Sequence, residues 1–188
     1  MPSTAAPLAI DIALLLPAPA QSRVRQLNAQ FDASEGRGFR FDHRHLPHLT
    51  VGQHYIRQES LPAVRRHIAR LVSSIVPFEI LITGAHSGRT AQSLQVERSA
   101  TLHSFHTRIM NAMLRFETTG GLANSFHCDN WPARAADITW VSTFRQTASY
   151  TRYTPHITIA IGATPLTVEP FSFTSHEIAI CRLGRFCT

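Results

Sequence analysis

From Leu8 to Leu16 the chain is apolar at every position except Asp11 and stops at Pro17, the pattern of a buried strand. Ala20 to Ala33 carries Val24, Leu27 and Phe31 at three-to-four-residue spacing, which predicts a helix. Leu46 to Ile56 returns to strand. A second amphipathic helix is expected over Leu61 to Ile75, with Pro62 in its first turn and Pro77 beyond its end. Phe78 to Thr83 and Ser93 to Glu97 read as strands joined through a turn region at Gly84 to Gly88. Leu102 to Phe116 is helical through Phe105, Ile109 and Met113, and Gly120-Gly121 closes that half. Ile138 to Phe144, His156 to Ile161 and Glu177 to Leu183 read as further strands, while Leu122 to Pro132 shows no legible pattern. The whole predicts an α+β fold with a largely antiparallel sheet.

At 188 residues and 44% hydrophobic content the chain can bury one core, so residues 1–188 are expected to form a single domain, with room for two lobes. A net charge of +6 and a pI near 10.2 favour anionic partners such as nucleotides or RNA. All 18 cationic side chains are Arg, a bias that GC-rich coding or selection for phosphate forks would each produce. With no Lys, a P-loop lysine, a lysine Schiff base and a lysyl-adenylate intermediate are excluded. Gly36 and Gly38 lack the third glycine of a dinucleotide fingerprint. Cys128, Cys181 and Cys187 form no CxxC pair and no even set, which fits a reduced, cytoplasmic setting. The opening run resembles a leader peptide, yet no basic residue precedes it and Asp11 interrupts it, so a buried first strand is expected. No run reaches the roughly 20 apolar residues of a membrane helix, and no membrane partner is expected.

Two tetrads stand out: "PHLT" at Pro47 to Thr50 and "PHIT" at Pro155 to Thr158, with their histidines at positions 48 and 156. With 11 His and 18 Thr, about one His-x-Thr pair arises by chance, and requiring a preceding Pro lowers the expectation to about 0.06. Alternate residues of a strand share a face, so His48 and Thr50 point one way and Leu49 and Val51 the other; His156 and Thr158 do likewise against Ile157 and Ile159. The prolines suit the first residues of strands, where a missing amide donor costs least. Brought together, the strands would place two imidazoles and two hydroxyls around one anion. A neutral imidazole can take a proton from an attacking hydroxyl or water, a protonated one can give a proton to the leaving oxygen, and the threonines can donate to phosphoryl oxygens. Either tetrad alone would read as ordinary strand histidines; the pair, in a basic chain, points to phosphodiester chemistry.

"HLTV" and "HITI", about a hundred residues apart, resemble the signature of the 2H phosphoesterase superfamily, and the similarity spans the chain from the strand and helix before the first motif to "SHEIAICRL" after the second. The resemblance implies a bilobal α+β fold with pseudo-two-fold symmetry, largely antiparallel sheets around a central cleft, and one motif strand in each lobe. It implies a phosphodiesterase that works without metal or other cofactor on RNA ends or cyclic nucleotides, whether a 2′,3′-cyclic phosphate, a 2′-5′ linkage or a cyclic oligonucleotide. On that pattern His48 and His156 would be the acid and base and Thr50 and Thr158 the phosphate-binding hydroxyls, in a monomer whose partner is the RNA or nucleotide substrate. Which histidine plays which part stays open, and the span from Gly120 to Thr151, which includes "NSFHCDNW", matches nothing assignable.

Other residues are weaker candidates. Arg44 and Arg152 lie near the motifs and could touch phosphate, as could Arg40, and Tyr55 or Tyr153 could stack on a base, Tyr153 first because it stands three residues before His156. His43, His45, His48 and His54 crowd one stretch, His54 on the strand parity of His48, but no carboxylate or cysteine stands at a metal-ligand spacing. His103 and His106 on the third predicted helix read as a solvated polar face, and Cys128 beside His127 as an accidental neighbour pair. The competing reading is a non-catalytic module that binds RNA ends or nucleotides in the same basic cleft.

Overall fold

Strands and α-helices follow one another as β1 (Leu8–Leu15), α1 (Ala18–Asn28), β2 (His48–Ile56), α2 (Leu61–Val72), β3 (Phe78–Ser87), β4 (Ala91–Val96), α3 (Ala100–Met113), α4 (Ala135–Thr147), β5 (His156–Ile161), β6 (Phe171–Ser175) and β7 (Glu177–Arg182). They come from a computed structural model that describes residues 6–33, 38–88, 91–128, 132–162, 164–175 and 177–184. Gly36, Cys187 and part of "NSFHCDNW" lie outside these described residues.

Two antiparallel sheets result, ordered β2-β1-β7 and β5-β4-β3-β6. Both tetrads therefore sit on edge strands of different sheets, and β2 packs directly against β5. The bilobal α+β fold expected from the sequence is the one observed, with the cleft opening where the two edges meet. The run that resembles a leader is β1, the middle strand of its sheet. Ile10, Ile12, Leu49 and Val51 from one sheet join Ile82, Leu94, Ile157 and Ile159 from the other in one cluster of buried side chains.

Three elements differ from expectation. Ile138 to Phe144 is helical, within α4. Its β-branched residues favour a strand, but Val141 and Phe144 are buried three residues apart, and the hydroxyls of Ser142, Thr143 and Thr147 donate to the carbonyls of Ile138, Thr139 and Thr143. Asp137 also accepts from the Arg134 amide, capping the first turn. β3 runs on through Gly84 to Ser87 instead of turning at Gly84, which takes φ 158° beside a break in register between Ile82 and Gly84. The short, hydroxyl-rich β6 has no counterpart among the expected elements; it pairs with β3.

Candidate active site

Each motif strand carries a β-bulge at the fourth position of its His-x-Thr-x run. On β2, Ile12 pairs with Gly52 and Ala13 with Thr50, so Val51 is the extra residue. On β5, Gln92 pairs with Ala160 and Ser93 with Thr158, so Ile159 is. A bulge leaves backbone groups outside the ladder, and buried side chains take up both carbonyls: His106 Nδ1 donates to Val51 O at 2.7 Å and Asn28 Nδ2 to Ile159 O at 2.7 Å. Both bulge residues are fully buried, which anchors each tetrad from behind.

The imidazoles are held alike. His48 Nδ1 lies 2.7 Å from Leu46 O and His156 Nδ1 2.9 Å from Thr154 O, in each case the carbonyl two residues earlier. A carbonyl can only accept, so each Nδ1 carries a hydrogen, and Nε2 is the ring nitrogen not committed to that carbonyl. His48, Thr50, His156 and Thr158 line one cavity of about 310 Å³, a volume at the lower end of small-ligand sites.

The two tetrads differ underneath. Asp11, 2% exposed on β1, accepts at Oδ2 from Thr50 Oγ1 at 2.7 Å and from Gln53 Nε2 at 3.3 Å, and the same oxygen lies 3.6 Å from His48 Nε2. Its Oδ1 has no hydrogen-bond partner among the described residues. Across β5, Ser93 faces Thr158 and Gln95 faces His156.

Among the weaker candidates, Arg152 and Tyr153 line the cavity; Tyr55 and Arg44 do not. Tyr153 is 3% exposed, its ring stacked on His106 at 3.8 Å and 4°, and its hydroxyl donates to Thr50 O at 2.8 Å, so it braces the wall. Burial, and then the charge of Asp11, pushes that hydroxyl's pKa up and keeps it a donor. Tyr55 is buried in a second apolar cluster with Phe126 and donates to Ile138 O. Arg44 lies on the exposed loop before β2, its amide donating to Asp42, and Arg40 binds the carbonyls of Asn28 and Phe31.

His54 does not share the face of His48, because the bulge at Val51 shifts the alternation and brings Gln53 into the cleft instead. His54 packs inward, its Nδ1 2.6 Å from Glu117, with burial lowering its pKa. His106 is likewise buried, not on a solvated face. Among the described residues no group of three or more His, Cys, Asp or Glu is placed to hold a metal, and no helix is long and apolar enough to cross a membrane.

Sequence reasoning missed Asp11, Gln53 and the α4 wall, where Trp140 (46% exposed), Phe144 and Thr147 line the cavity. A helical period at Val141 and Phe144 was the available signal for α4. Nothing local marked Asp11 except its isolation in an apolar run.

A family model described as the 2′-5′ RNA ligase superfamily matches residues 16–178. No curated protein matches the sequence. Similar solved structures include TT0787 of Thermus thermophilus (TM-score 0.60, 15% identity, covering 93% of this chain and 88% of that one) and the MHV ns2 PDE domain (0.56, 13%, 94% and 99%). E. coli LigT complexed with 3′-AMP is a third (0.52, 15%, 96% of each chain). At these identities the likeness is one of fold.

Proposed function

Because the chain belongs to the 2′-5′ RNA ligase superfamily of 2H phosphoesterases, we propose that it is a phosphodiesterase acting, without metal, on RNA ends or cyclic nucleotides. The observation that carries the reading is the matched pair of imidazoles: each is tied at Nδ1 to the carbonyl two residues before it, and both line one cavity. One Nε2 takes a proton from the attacking water or hydroxyl while the other gives one to the departing ribose oxygen, and the Thr158 hydroxyl and Arg152 lie in the same cavity to meet the phosphoryl oxygens. Trp140, which lines the same cavity, offers an exposed ring for a nucleobase. LigT, which shares the fold, is solved with 3′-AMP and with NADP+, which supports a nucleotide ligand here. The same reading takes residues 1–188 as one domain of two lobes, acting as a monomer in the cytoplasm.

The test is incubation in EDTA with 2′,3′-cyclic mononucleotides, cyclic-phosphate-ended RNA and cyclic oligonucleotides, beside a His48→Ala/His156→Ala double variant, with products followed by chromatography. Turnover by wild type alone supports the two-histidine mechanism, and chelator-abolished turnover would replace it with a metal-dependent one. Binding without turnover would make the cleft a nucleotide-binding module.

A further inference from the structure

The two tetrads match in sequence but not in electrostatics. Asp11 lies beneath the first, buried, with one carboxylate oxygen shared among the Thr50 hydroxyl, the Gln53 amide and the approach of His48 Nε2. The described residues lining the cavity around both tetrads include no carboxylate, and neither do those of the adjoining groove along His156, Thr158, Ser93 and Gln95. At 3.6 Å the Asp11 to His48 approach is too long for a hydrogen bond but close for a charge pair.

We propose that Asp11 is a positioning residue that divides the labour: it holds His48 as the imidazolium that serves as general acid, which leaves His156 as the base. The inference rests on the phosphodiesterase reading. In hydrolysis, His156 Nε2 takes a proton from water as the water oxygen bonds to phosphorus. The bond from phosphorus to the leaving ribose oxygen breaks, and that oxygen receives the proton of His48 Nε2. Solvent then returns a proton to His48 and removes one from His156. Because Thr50 has one hydroxyl hydrogen and gives it to Asp11, Thr158 is the threonine that donates to the phosphoryl group.

Among the described residues, the charged and titratable groups facing His48 are Asp11 from β1, Arg152 and Tyr153 from the segment before β5, and His156 from β5; α4 presents Trp140, Phe144 and Thr147, with Ala148 just past its end, none of which is charged. Arg152 opposes the imidazolium and Tyr153 stays neutral, so Asp11 is the one group of this set that favours it.

Asp11→Asn keeps an acceptor for Thr50 and removes the charge. In the pH profile of kcat/KM its alkaline limb, set by loss of the acid's proton, is expected to move down by about one pH unit or more while the acidic limb stays in place. Movement of the acidic limb instead, or of neither, overturns the proposal. Imidazole 15N shifts in the absence of substrate give a second readout: His48 deprotonates at lower pH in Asp11→Asn than in wild type, and an unmoved His48 overturns the assignment whether or not any substrate is turned over. A protein silent on every phosphodiester but showing the His48 shift would sink the enzymatic reading and leave the Asp11 coupling standing. Should the variant fail to fold, the wild-type spectrum decides, with His48 mostly imidazolium at pH 7 expected and mostly neutral the overturning result. Thr158→Val should raise KM more than Thr50→Val, and the reverse order also counts against the scheme.

Discussion

His48 and His156 each keep one nitrogen, Nε2, for the proposed chemistry, because each Nδ1 hydrogen is spent on the carbonyl two residues back. Replacing either by Ala is expected to lower kcat by about 10² to 10⁴ with a much smaller change in affinity, measured by steady-state rates beside equilibrium binding. Wild-type kcat/KM should be bell-shaped in pH, since one ring must be neutral while the other is charged. Trp140 is the residue whose loss should separate bases from bare phosphate. Its ring meets Phe144 edge-on at 5.8 Å and 82°, which steadies it while it stays exposed. Trp140→Ala is expected to weaken nucleotide binding by about 1–3 kcal/mol and to leave inorganic phosphate binding unchanged, by calorimetry with each ligand.

At the scale of elements, the two edge strands are held in matching shapes by unlike parts. The bulge carbonyl of β2 is met by His106 from α3, and that of β5 by Asn28, the last residue of α1. His106 does more: its Nε2 accepts from the amide of Tyr150, which takes the left-handed φ of 56°, and its ring stacks on Tyr153. Both residues lead into the second tetrad. Tyr153 in turn donates to Thr50 O in the first, so one buried pair ties the two motifs together. Asn28→Ala and His106→Ala each strand a buried carbonyl and are expected to cost about 1–3 kcal/mol in chemical denaturation. These ties are illegible in the sequence because they join residues more than forty positions apart. His106 looks like a surface residue there because the helical pattern of α3 shows period, not what lies opposite. Residues 138–144 mislead for a related reason: β-branched residues lean toward strand until hydroxyl-to-backbone bonds and the burial of Val141 and Phe144 are counted.

The whole molecule should lose stability in acid through two groups of opposite type, the buried His106 and the half-buried Glu117. Burial is the main reason that the His106 pKa is lowered from the usual 6.5 to about 4. The unfolded chain takes up that proton first, so the contribution is full above pH 6.5 and is lost as pH falls toward 4. Burial would raise Glu117, but hydrogen bonds from His54 and Arg145 outweigh it and hold the carboxylate at about 2. Its contribution is present above about pH 4.5 and is lost between there and 2. Both slopes have the same sign. Unfolding free energies from urea titrations between pH 7 and pH 4 should fall, by at most about 1.4 kcal/mol per pH unit for the His106 proton, and His106→Gln should flatten that interval. Sequence by itself determined what depends on neighbours along the chain: the apolar period of most strands and helices, and two His-x-Thr tetrads whose alternation points imidazole and hydroxyl to one side. Tertiary structure alone decided what depends on the extra residue of a bulge and on distant packing. The bulge at Val51 exchanged His54 for Gln53 at the cleft, Asp11 came to lie under one tetrad and not the other, and α4 raised Trp140 over the cavity. Each reflects the free energy of satisfying buried polar groups across sheets and helices, a quantity set by partners that no local window contains.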